Sequence, residues 1–206
     1  MDIRRPRRAV RTYVQHLAAP PWAVFPLLCP VREAEWVPGW DPPLVISASG
    51  LAEPDCVFTT EGDPGPAVWY VTRHEPAAGF VEMIKVTPGV TACRLTIRLR
   101  AAALGTDAEV TYMHTSLGPE GDAFVEGFTE DHYRRFMKEW EDRLNDHLRK
   151  SSPADGEREG LQARLEELNC EIRAYPQPIA RCDAQLGGLV EERDRIRARL
   201  AALDRG

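Results

Sequence analysis

Seven positions spaced four residues apart, 124, 128, 132, 136, 140, 144 and 148, carry Phe, Phe, His, Phe, Trp, Leu and Leu. A helix completes a turn every 3.6 residues, so each four-residue step drifts by about 40° and the stripe winds around the rod. A straight bundle seam would use heptads instead. A winding stripe suits a long helix laid across a twisted sheet, where successive turns meet different strands. The spacing predicts one helix from about Asp122 to Lys150, entered through the turn Gly118-Pro119-Glu120-Gly121.

The sheet is legible upstream. Residues 9–17 are rich in β-formers and read as a first strand. Pro20 and Pro21 sit where a helix can begin, Pro30 stops it, and Val31 to Trp36 can form a second short helix. After the Pro38-Gly39 turn come short strand-like runs near Leu44–Ser49, Cys56–Glu61, Ala67–His74, Phe80–Thr87, Val90–Ala101 and Ala108–Leu117. Short turns between them predict an antiparallel meander. Cys93, Leu95, Ile97 and Leu99 take one face of their strand, while Arg94, Thr96, Arg98 and Arg100 take the other. In the last strand Val110, Tyr112 and His114 share a face, opposite Glu109, Thr111 and Met113. The fold class is therefore α+β: a curved antiparallel sheet around a long helix, here spanning residues 1–150.

Beyond Lys150 the pattern changes. Residues 151–157 open with Ser-Ser-Pro-Ala-Asp-Gly and read as a linker. Leu161, Leu165, Leu168 and Ile172 then step by four, three and four. Tyr175-Pro176-Gln177-Pro178 breaks the helix, and Ile179, Cys182, Leu186, Leu189, Arg193, Ile196, Leu200 and Leu203 resume the stepping, with Arg193 off pattern. Residues 158–206 are thus an α-helical hairpin of coiled-coil type. Two helices alone bury little, so pairing with a second copy or docking elsewhere is expected. Cys170 and Cys182 flank the turn, but in this register Cys182 is on the seam and Cys170 points outward, so no disulfide is expected.

The net charge of −6 is shared by both parts, with 17 basic against 21 acidic residues through Lys150 and 9 against 11 after it. Neither part has the basic footprint of a nucleic-acid partner. The cluster Arg4, Arg5, Arg7, Arg8 and Arg11 reads as a solvated arm. The uncharged run Thr12 to Val31 has the length of a membrane span, but four prolines, Gln15 and His16 interrupt it, and no cleavage site follows. Five scattered cysteines without a C-x-x-C pair indicate reduced thiols rather than a disulfide framework or zinc site. A cytoplasmic protein with no membrane span, metal or cofactor is expected.

No catalytic motif stands out: there is no G-x-S-x-G, H-E-x-x-H, P-loop or G-x-G-x-x-G after a strand. His114 is the best candidate for chemistry, as a base or as an orienting group on the face turned toward the helix. The plainer alternative is a core histidine bonded to Tyr112 or His132, and His132 carries the same ambiguity. Trp36 and Trp40 either line a cavity mouth or plug the open end of the sheet. Phe124 and Phe128 either line a pocket or belong to the core. The pairs Glu33/Glu35 and Glu130/Asp131 read as solvated helix faces.

The element order resembles the START-like superfamily, also called SRPBCC, the group of birch-pollen-allergen-like and polyketide cyclase/dehydrase-like proteins. The stretch Val24–Trp40, ending in Trp36-Val37-Pro38-Gly39-Trp40, is similar to the helix pair and W-x-x-G-W turn of uncharacterised bacterial members. Val110–Gly121 resembles their last strand and its exit, and Trp140-Glu141 fits their long helix. The resemblance covers about residues 8–149 and implies the helix-grip fold. It does not fix a function, since its members include carriers, cyclases and regulators. A segment of the tail, Tyr175–Gln185, resembles small stand-alone bacterial helical proteins, which suggests a fusion. The expectation is a cavity that binds a small hydrophobic or amphipathic molecule through Trp36, Trp40, Val110, Tyr112, His114, Phe124, Phe128 and His132, with the tail forming a homodimer. Two alternatives stand beside it. One is a polyketide cyclase/aromatase-like enzyme in which Tyr112 and His114 polarise a carbonyl or move a proton. The other is a ligand-free regulator acting through its tail.

Overall fold

The computed structural model describes residues 3–62, 64–150, 153–175 and 184–203. The chain divides into two compact units, Met1–Lys150 and Ser151–Gly206.

The described residues of the first unit form seven strands: β1 (Arg8–Leu17), β2 (Leu44–Ile46), β3 (Val57–Thr60), β4 (Ala67–Glu75), β5 (Phe80–Thr87), β6 (Thr91–Ala102) and β7 (Gly105–Ser116). All neighbours are antiparallel, in the order β1-β7-β6-β5-β4-β3-β2, so the meander closes by bringing the first strand beside the last. The β6–β7 turn needs a glycine. Gly105 has φ 143°, and a Cβ there would strike the Leu17 carbonyl oxygen. Thr91, Cys93, Leu95, Ile97 and Leu99 of β6 are buried, as are Thr106, Ala108, Val110, Tyr112 and His114 of β7, so the alternation fixes both inner faces.

Between β1 and β2 the proline-rich segment forms one α-turn, α1 (Pro21–Val24), and two 3-10 turns, Phe25–Leu28 and Arg32–Glu35. The helix expected over Val31 to Trp36 is thus a single tight turn. Two helices follow the sheet, α2 (Pro119–Gly127) and α3 (Glu130–Lys150), instead of one rod from Asp122. Phe128 leaves helical geometry at ψ 62°, and Thr129 accepts a hydrogen bond from the His132 N–H at 3.3 Å, with Glu130 and Asp131 filling the first turn. Gly121 lets α2 press against the β5–β6 turn, where a Cβ would meet the Val90 carbonyl oxygen. The basic arm is used locally. Arg7 pairs with Glu126 at 3.1 Å and Asp122 at 3.5 Å, and Arg11 with Glu130 at 3.7 Å.

The second unit packs α4 (Pro153–Ala174) on α5 (Ala184–Leu203). The helix starts inside the stretch read as a linker, since proline is well suited to a first turn. Among the described residues of the apolar stripe only Leu168 and Ile196 are buried, while Leu161, Leu165, Ile172, Leu186, Leu189 and Leu200 are half-buried. Arg164 crosses to Glu192 at 2.8 Å. The expected break at 176–178, and the seam positions Ile179 and Cys182, lie outside the described residues. Cys170 is a free, exposed thiol.

Candidate functional site

The inner face of the sheet is built of cross-strand rows. One runs Ala9, His114, Cys93, Lys85, Trp69 and Phe58, each directly opposite the next. The adjoining row contains Tyr112, Leu95 and Met83. Over these rows lie α2, α3 and the two 3-10 turns, and they do not close down completely. A cavity of about 370 Å³ remains, within the size range of small-molecule sites. Its walls are mainly Leu, Ile, Met and aromatic side chains, including four of the five tryptophans, Trp36, Trp40, Trp69 and Trp140. A second, more open hollow of about 360 Å³ shares Phe124, Phe128 and His132 with it at the α2–α3 corner. His132 and Glu61 are exposed and form part of the rim.

The eight residues singled out from the sequence all line this cavity. Trp36 and Trp40 are held in place by their indole N–H groups, which donate to the Leu27 carbonyl at 3.0 Å and the Pro30 carbonyl at 2.6 Å. Both rings meet Trp140 edge-on, at 5.1 and 6.3 Å. They are therefore anchored in the fold and still present aromatic surface to the interior. Phe124 and Phe128 stack at 5.9 Å, and both close on the His114 ring, at 5.0 and 4.6 Å. The bend at Phe128 makes this possible, because it turns α2 across the end of β7.

His114 does not find either expected partner. It stacks on Tyr112 at 5.7 Å, and its Nδ1 is buried with no hydrogen bond. Burial, reinforced by the Lys85 ammonium, lowers its pKa to about 4, so the ring is neutral at pH 7. Tyr112 is buried beside it, and desolvation first, then nearby Cys93, Tyr133 and Glu33, hold its phenol well above the usual range. No hydrogen bond to its hydroxyl is present among the described residues. The His114 Nδ1 is thus an exception, since buried polar groups are nearly always paired.

A third unpaired group was not expected there. Glu33 is 8% exposed and lines the cavity, while its neighbour Glu35 faces outward and pairs with Arg32 at 2.8 Å and His147 at 3.7 Å. The reading of both as a solvated face holds for Glu35 and fails for Glu33. Burial pushes the Glu33 carboxyl well above the ordinary carboxylate range, and no cation offsets it among the described residues. The signal lay in the spacing: in a 3-10 turn residues three apart eclipse, and Pro30, Glu33 and Trp36 are all buried. Lys85 was also missed. It alternates with Val81, Met83 and Thr87 on the inner face, its ammonium 5.2 Å from the Trp69 ring. Glu130 and Asp131 are exposed, as expected. No group of three metal-ligating side chains occurs among the described residues, and no helix there is long and apolar enough to cross a membrane.

No protein-family model matches the chain, and no curated protein matches it. Solved structures do. An uncharacterised protein from Rhizobium leguminosarum aligns at 19% identity and TM-score 0.50, over 73% of this chain and 100% of that one. Norcoclaurine synthase from Thalictrum flavum, in complex with dopamine and hydroxybenzaldehyde, aligns at 12% identity and TM-score 0.52, over 71% and 90%. Ara h 8.0201 aligns at 11% identity and TM-score 0.51, over 70% and 100%. At such identities the likeness concerns the fold, which is the helix-grip α+β fold of START-like proteins.

Proposed function

We propose that the first unit binds a small hydrophobic or amphipathic molecule in its cavity, and that the tail holds two copies together. The observation that carries the binding reading is the convergence on one apolar hollow of three buried side chains, Glu33, Tyr112 and His114, whose polar ends have no hydrogen-bond partner among the described residues. In a finished core each would carry a desolvation penalty of about 1–3 kcal/mol. A ligand with an apolar body and a few polar atoms would satisfy them. The fold's occurrence in a synthase that holds dopamine and hydroxybenzaldehyde is in keeping with such use. The cavity speaks against the ligand-free regulator, for which a core filled by side chains would serve.

The same geometry gives the enzyme alternative its content. A neutral His114 and a protonated Tyr112 are suited to donating or accepting hydrogen bonds at a carbonyl, and a pKa of about 4 makes His114 a weak base. Loss of poly-ketone turnover on His114→Ala would favour it. Self-association is supported by the half-buried leucines of α4 and α5, which a second hairpin would cover. The free thiols of Cys29, Cys56, Cys93 and Cys170 suit the reducing cytoplasm proposed as its location.

The binding test uses the full chain and N-phenyl-1-naphthylamine, a neutral apolar fluorophore. Saturable binding of one molecule per chain, with quenching of the tryptophans that line the cavity, is the expected result. Absence of saturation would remove the proposal. Light scattering in solution gives the mass, with a dimer expected and a monomer at all concentrations contradicting the tail's role.

A further inference from the structure

The cavity reading leaves open what kind of amphipathic molecule enters, and Glu33 narrows it. Its side chain sits on a rigid 3-10 turn, anchored through backbone bonds from Glu33 N–H to the Cys29 carbonyl at 2.8 Å and from Val37 N–H to the Glu33 carbonyl at 2.7 Å. It is more than nine-tenths buried, it borders the cavity, and no lysine, arginine or histidine pairs with it among the described residues. The aromatic rings of Trp36, Tyr112, Phe136 and Trp140 line the same space, and π-faces attract cations as carboxylates do. We infer that the cavity is selective for an organic ammonium: an amphipathic amine whose charged nitrogen pairs with the Glu33 carboxylate while its apolar body lies among the aromatic walls. This assignment rests on the cavity being a binding site.

The chemistry balances simply. In the empty protein burial favours the protonated form of the Glu33 carboxyl. An ammonium arriving beside it favours the carboxylate, and the displaced proton leaves to solvent. The other titratable groups of the lining are Glu61, Lys85, Tyr112, His114 and His132. Of these Tyr112 interacts electrostatically with Glu33, while Lys85 acts on His114. A buried carboxylate facing a neutral isostere gains no such partner, so the discrimination is built into the site rather than into its volume.

The test compares 2-(2-naphthyl)ethylamine with 2-(2-naphthyl)ethanol by calorimetry on the full chain at pH 7. The two share their apolar body and differ in the charged group. The amine is expected to bind at least about tenfold more tightly, and Glu33→Gln to bring the ratio near one while leaving alcohol affinity within about threefold. Glu35→Gln, whose carboxyl lies outside the cavity, should leave the wild-type ratio intact. Equal affinity of amine and alcohol in the wild type would overturn the inference and leave the cavity reading standing. An amine preference that survives Glu33→Gln would overturn the assignment to Glu33. Failure of both compounds, and of N-phenyl-1-naphthylamine, to bind would overturn the cavity reading itself.

Discussion

Tyr112 and Tyr133 are both buried, with ring centroids 5.8 Å apart, yet they live under opposite rules. The Tyr133 hydroxyl donates to the Val110 carbonyl at 2.7 Å, whereas among the described residues no such bond engages that of Tyr112. The contrast extends to the regions around them. Where α3 crosses β1 the polar groups are matched except for the buried Arg11 Nε: Gln15 donates to the Met137 carbonyl at 3.1 Å, and the His16 N–H to Glu141 at 3.1 Å. Asn145 bridges the strand end, accepting from the Ala18 N–H at 2.8 Å and donating to the His16 carbonyl at 2.9 Å. Toward α2 and the 3-10 turns the matching stops, and Glu33, Tyr112 and His114 remain. One helix thus seals the β1 side of the sheet, with Gln15 and Met137 on the boundary, and roofs a hollow over the other half. A fold able to satisfy its polar atoms in one half and not the other has kept the second half for something else.

The largest expected effect tests whether the sealed half carries the stability. Tyr133→Ala should cost about 3–5 kcal/mol in chemical unfolding, because it opens a void and strips a hydrogen bond. Phe136→Ala, at the cavity wall, should cost less than half as much, since one side of that ring already meets open space. Equal losses would erase the distinction between the halves.

The next effect lies in pH. The His114 pKa falls from 6.5 to about 4 on folding, so between those values the unfolded chain binds the extra proton. Stability should therefore drop as pH falls from 6.5 through 4, by roughly 3 kcal/mol in all. Glu33 works in the opposite sense: its folded pKa lies above 4.5, so its contribution is full below 4.5 and is lost as pH rises through the folded value. Unfolding measured across pH should lose the first slope in His114→Phe and the second in Glu33→Gln. An unchanged profile in either variant would place that group outside the hollow.

At neutral pH His114→Phe should stabilise the fold by about 1–2 kcal/mol, since it removes an unpaired buried nitrogen. Destabilisation instead would mean that the ring has a partner. The smallest and sharpest comparison is the tyrosine pair: Tyr133→Phe should cost about 1 kcal/mol and Tyr112→Phe no more than about 0.5 kcal/mol. The reverse order would exchange the roles of the two regions.

Much of this arrangement could be read from the residues. The inward faces of β6 and β7 follow from strict alternation, and the winding stripe places the long helix over them, so the cavity-lining aromatics came out together. Three features resisted for separate reasons. The i+4 stripe runs unbroken through Phe128, so periodicity conceals the break that Gly127 and the Thr129-Glu130-Asp131 cap impose. Glu33 follows a three-residue period in a segment too short to show one. In β5 both faces carry apolar residues, with Ile84 and Val86 opposite Val81 and Met83, so alternation alone does not turn Lys85 inward.

The central claim is that the hollow half exists to hold a small molecule, and native mass spectrometry of the full chain purified from the cells that make it tests this most directly. The account predicts a single small-molecule adduct per chain, retained under gentle ionisation, released on denaturation, and carrying a basic nitrogen. The bare chain mass in both conditions, at settings where other non-covalent complexes survive, would contradict it.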